Sequence, residues 1–172
     1  MAYDAKAVAN YFLDKAESSG TTLTPMKLQK LVFFAHGWHL GLNDEPLISD
    51  PIEAWQFGPV VPSLYHEFKH ERAGAITGRA TELDLEDFEY QAPAVRDDDI
   101  GAKKLMDSVW NTYGKLTAVQ LSNLTHLPNS PWDLARKKYD GDMRSVPIDD
   151  DLIRTYFRQE AEKNRAKRAA AA

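Results

Sequence analysis

Cysteine is absent from the 172-residue chain, so it cannot form disulfide staples, thiolate metal sites or thiol nucleophiles. No apolar run approaches the roughly 20 residues that a membrane-crossing helix needs. The opening stretch, Met1 to Asn10, has neither the basic region nor the apolar region of a signal peptide. A basic excess is missing too: 26 Asp and Glu face 21 Lys and Arg, a net charge of -5, and eight carboxylates fall between Glu82 and Asp99. That balance repels the phosphate backbone whose neutralisation drives most nucleic-acid affinity, so direct DNA or RNA binding is disfavoured. A Gly-rich phosphate loop and a G-x-S-x-G elbow are likewise missing. These absences lead to the expectation of a soluble cytoplasmic protein with no membrane partner and no cofactor.

What is present is an ordinary globular balance, 43% hydrophobic and 27% charged, in a chain of single-domain length. Asp4 can cap a helix in which Val8, Phe12 and Ala16 recur, and Ser18-Ser19-Gly20 ends it. Thr24 and Pro25 start a second helix whose stripe of Leu28, Leu31, Val32, Ala35 and Trp38 marks it as the core helix. Gly41 is expected to close it, with Gln29 and Lys30 on its exposed flank. The pieces "PLIS" and "IEAWQF", divided by Asp50-Pro51, read as a small strand pair, and a third helix begins near Pro62. Ala73 to Asp99 reads as a long acidic loop with at most one short strand or helical turn. Asp97 to Asp99 suit the start of another helix ending at Gly114, Thr117 and Gln120 form a capping box, and Ser130-Pro131 opens a short helix. A last helix starts near Asp149. The expected fold is mainly α: a single compact domain of about six or seven helices with a small β-hairpin after the second helix. The domain spans 1–160 and a flexible, basic and Ala-rich tail spans 161–172.

One motif carries explicit chemistry. His66-Glu67-Phe68-Lys69-His70 fits the H-E-x-x-H pattern, in which two imidazoles one helical turn apart hold Zn²⁺ and the carboxylate activates its water. In a helix each residue advances about 100°, so Leu64 and Phe68 share the apolar face and His66 points about 200° from Leu64, into solvent. A third ligand is also required; the extended motif would place Gly at 73 and His at 76, where this chain has Ala73 and Ile76. Glu82, Glu86 and Glu89 are the remaining candidates, in a loop with no framework to aim them. A zinc-dependent peptidase built on His66, Glu67 and His70 is therefore the alternative function, and a solvated helix face is the favoured reading. His36 and His39 lie three apart on the second helix, with His39 expected to be half-buried and hydrogen-bonded, and His126 stands alone near a helix end.

Three segments in order, "LTPMKLQKLVFFAHGWHLGL", "PLISDPIEAWQFGPVVPSLYHEFK" and "YGKLTAVQLSNLTHLPNSPW", resemble the SocA-like Panacea domain family of antitoxins, which includes phage-associated GepA-like proteins. The specific elements are the LQKL helix with its following Gly-Trp, the Trp55-x-x-Gly58-Pro59-Val60 turn, and Leu124-Thr125-His126 with Ser130-Pro131-Trp132. The resemblance covers Ala9 to about Phe157. It implies a mostly helical, non-enzymatic antitoxin that neutralises a cognate toxin by direct protein contact, and further links such proteins to delivery of the toxin to the ClpXP protease. Within the family His66 and Glu67 look like shared features, whereas His70 does not. The expected toxin-binding residues are Trp55, Gln56, Gly58, Pro59, Val60, Tyr65 and Trp132, because a Pro-stiffened turn displaying aromatics suits a partner surface. The competing reading is that Trp55, Tyr65 and Trp132 fill a core around that turn.

Overall fold

The computed structural model describes residues 1–139 and 146–172. Helix α1 (Ala5–Ser18) starts where the Asp4 carboxylate accepts the Lys6 N–H at 2.7 Å, and α2 (Pro25–Asn43) starts where the Thr24 side chain accepts from the Lys27 N–H. Each cap satisfies a donor that the first helical turn leaves unpaired. Helix α2 does not end at Gly41. It runs on to Asn43 and stops at Asp44, whose φ of 64° is left-handed.

Helix α2 forms the axis of the molecule. It packs against α1, α3 (Pro62–Phe68), α4 (Ile100–Tyr113), α5 (Ala118–Thr125) and α7 (Asp150–Ala171), and every residue from Leu28 to Gly37 is buried. Gln29 and Lys30, expected on an exposed flank, are therefore interior, because helices and a hairpin surround α2 on all sides. The tightest approach is to α7. Gly37 and Gly41 offer only hydrogens where the Phe157 ring and main chain pass; a Cβ at Gly37 would lie 2.1 Å from that ring. The start of α7 is fixed by buried His36, whose Nε2 donates to Asp150 Oδ1 at 3.0 Å while its Nδ1 accepts the Ile48 N–H. That bond holds the Asp150 carboxyl below the usual carboxylate range.

The hairpin after α2 is β1 (Glu53–Trp55) with β2 (Gly58–Val60), in the register Glu53 to Val60 and Trp55 to Gly58. "PLIS" is not its partner. Tyr3 N–H donates to Leu47 O and Ser49 N–H to Tyr3 O, so that piece is tied to the N-terminus instead. Strand β5 (Val146–Pro147), which follows α6 (Pro131–Lys138), adds to the free side of β1. Segment 73–99 holds more order than a loop: β3 (Glu82–Leu83) pairs with β4 (Tyr90–Gln91). Buried Asn10 anchors the segment, donating to Ala80 O and Pro93 O and accepting the Ala80 N–H. The capping box at Thr117 and Gln120 and the Ser130 cap form as expected.

The last helix continues through Ala171, past the residues expected to fray. Ala, Lys, Arg and Glu are strong helix formers, so the helix propagates without an apolar stripe. Ala161 is its last buried residue. Among the described residues no helix is long and apolar enough to cross a membrane.

Candidate functional site

Around the β1–β2 hairpin the three sequence motifs meet. A hairpin this short has few ladder bonds of its own, and a lone two-stranded hairpin is marginal in water. Here side chains from three helices complete it. Arg136 donates to Ala54 O at 3.3 Å, Trp132 Nε1 to Trp55 O at 2.6 Å, and Ser122 Oγ to Phe57 O at 2.9 Å. His126 Nε2 lies 3.2 Å from Gln56 O and its Nδ1 lies 2.5 Å from Ser122 O. Both ring nitrogens thus face carbonyls, and a neutral imidazole donates to one of them at a time. Beneath the turn, Lys30 Nζ donates to Pro59 O at 3.0 Å, and Gln29 exchanges two bonds with the main chain of Val61. Six carbonyls in eight residues are thereby each faced by a different side chain.

Gly58 makes the close fit possible. Its φ of +112° is a conformation L side chains rarely adopt, and a Cβ there would lie 2.7 Å from Thr125 Oγ1 and 2.9 Å from Lys30 Nζ. Lys30 is 1% exposed and among the described residues pairs with no carboxylate, so burial lowers its pKa from 10.5 to about 7. From about pH 7 to 10.5 the unfolded chain binds a proton that the folded chain does not, so stability rises with pH through that window, by at most about 1.4 kcal/mol per pH unit. Lys30→Met removes this slope; urea denaturation of the two proteins at about pH 7 and pH 9.5 measures it, and parallel pH dependences would count against the buried amine.

What the hairpin presents outward differs from the sequence expectation. Gly58, Pro59 and Val60 are buried and frame the turn. Trp132 is half-buried, its ring 3.9 Å from His126 and its N–H committed to Trp55, which makes it part of the frame as well. Gln56 is exposed, Tyr65 is 42% exposed and meets the half-buried Trp55 edge-on at 4.7 Å. Phe57, absent from the expected set, is the most prominent side chain of the tip at 61% exposed. The signal was its place between Trp55 and Gly58: with Gly58 supplying positive φ, Gln56-Phe57 is the turn, not the end of a strand.

The zinc motif is dispersed. His66 lies on α3, whereas His70 lies beyond its end, on the short 3-10 helix Lys69–Glu71, and both are exposed. Glu67 pairs with Lys6 at 3.2 Å and accepts the Thr81 N–H, so it braces segment 73–99. Among the described residues no group of three or more His, Cys, Asp or Glu is placed to hold a metal ion. His39, half-buried, reaches Glu45 O through Nδ1 at 2.6 Å.

Comparison with known proteins bears on this frame directly. The family described as Antitoxin SocA-like, Panacea domain, matches residues 28–133, a span that contains the whole hairpin and all its supporting side chains except Arg136. The chain is 38% identical over 132 residues to Antitoxin SocA of Caulobacter vibrioides (strain NA1000 / CB15N), covering 76% of this chain and 69% of that protein. No solved structure matches it. With α2 from Leu28 onward, the cradled hairpin and the closing Ser-Pro-Trp turn inside the matched span, this chain belongs to the SocA-like Panacea-domain family of antitoxins.

Proposed function

We propose that the chain is the antitoxin of a toxin–antitoxin pair, acts in the cytoplasm, and neutralises its cognate toxin by direct contact through the hairpin tip. The observation that carries this reading is the cradle itself: six side chains fix a short turn whose outer face is Gln56, Phe57, Tyr65 and the edge of Trp55. A turn fixed before binding loses little entropy on contact, and aromatics within a polar surround are the residues that dominate interface energies. In this scheme Gly58, Pro59, Val60 and Trp132 position the contact residues. We further propose an adaptor role in which the bound toxin passes to the ClpXP protease.

Expression of the reading frame adjacent to this one, alone and with this chain, in cells with and without ClpX, tests both steps. The frame alone is expected to arrest growth, and this chain to restore it. Rescue lost without ClpX supports the adaptor step, and rescue that persists removes that step while keeping direct neutralisation. A harmless neighbour, or a toxic one that this chain does not rescue, contradicts the antitoxin reading.

A further inference from the structure

Away from the hairpin, α2, α4 and α7 enclose an open groove of about 660 Å³ that shares no residue with the tip. Its floor is apolar: Trp38, Leu42, Leu105 and Val109, with Leu42 49% exposed. Its rim is cationic. Lys104 comes from α4, and Arg165, Lys167 and Arg168 come from the part of α7 beyond its last buried residue, Ala161. Among the described residues no Asp or Glu lines the groove, although the whole chain carries a net charge of -5.

We propose that this groove receives an acidic amphipathic helix of a protein partner. The walls are helices whose main-chain bonds are internal, so no strand edge is on offer and recognition must run through side chains, as in helix-in-groove binding. Apolar side chains at i, i+3, i+4 and i+7 cover the floor, and carboxylates on the flanks meet the rim cations. The same helix packs along α7 beyond Ala161, where the residues of α7 are exposed. A nucleic-acid phosphate backbone would use the rim and leave the apolar floor uncovered, so the floor favours the polypeptide.

The test uses the full chain and two fluorescein-labelled peptides of about 14 residues, roughly four helical turns, with identical Leu positions and otherwise Glu or Lys. Fluorescence anisotropy is expected to show binding of the Glu–Leu peptide alone. Leu42→Asp, and separately the double variant Arg165→Glu/Arg168→Glu, should weaken it at least about tenfold. The double variant Lys137→Glu/Lys138→Glu on α6 makes the same change in net charge at exposed sites and should leave binding unaltered. No binding of the Glu–Leu peptide, equal binding of both peptides, or equal loss in the two double variants overturns the proposal. A labelled DNA duplex bound through Arg165 and Arg168 with no peptide binding overturns it in favour of nucleic acid. None of these outcomes depends on the toxin, so failure here leaves the antitoxin reading standing.

Discussion

Phe157→Ala is expected to lower folding stability by about 3–5 kcal/mol, the range for emptying a buried aromatic site. The ring lies at the centre of an aromatic knot, with Trp38 at 5.1 Å, Tyr156 at 5.3 Å, Phe33 at 5.9 Å and Phe34 at 6.2 Å, each approached edge to face. It also occupies the notch that Gly37 and Gly41 leave on α2. Gly37→Ala alone drives a methyl to within 2.1 Å of that ring and should cost about 2–3 kcal/mol, the upper part of the overpacking range. The informative result is the pair. With the ring gone the methyl has room, so the double variant should be less destabilised than the sum of the singles by at least about 1 kcal/mol. Denaturant midpoints for the four proteins decide this, and simple additivity would mean that α2 and α7 do not meet as described.

Gly58→Ala is expected to cost about 3 kcal/mol or more, because two penalties coincide: strain at a positive φ, and a clash with Thr125 and Lys30. Neither neighbour can yield cheaply. Thr125 Oγ1 donates to Ser122 O, and Lys30 Nζ supports Pro59 O. Gly78→Ala is the matched control, since a Cβ there meets nothing within 4 Å and its φ is ordinary. The Gly58 variant should keep its helical circular-dichroism signal while losing toxin neutralisation, as the helices form their own bonds and the hairpin has few ladder bonds and relies on side chains from outside it. A Gly58→Ala protein as stable and as active as Gly78→Ala would refute the role given to this turn.

Local rules were legible in the sequence where they depend on neighbours in the chain. Asp4, Thr24 with Pro25, Thr117 with Gln120 and Ser130 with Pro131 all start helices as read, since capping is a matter of a few consecutive residues. The outward aim of His66 was also legible, because Leu64 and Phe68 alone fix which face of α3 is buried. What escaped was set by distant partners. Gln29 and Lys30 carry polar heads that belong on a surface by composition, yet Val61 and Pro59 arrive over them from 29 or more residues away. Strand β5 is two residues long and exists only because β1 has a free edge. Phe57 was hidden by a strand-like run, "IEAWQF", whose end is decided by the φ of the next residue.

The fixed hairpin tip is the surface proposed to meet the toxin, and Phe57→Asp tests it most directly. The side chain is 61% exposed and only its main-chain carbonyl is held, by Ser122, so the substitution leaves the cradle intact. With the adjacent toxin in hand, isothermal titration calorimetry should give at least about a hundredfold weaker Kd for Phe57→Asp than for the unmodified chain, at an unchanged melting temperature. An unchanged Kd would contradict the account.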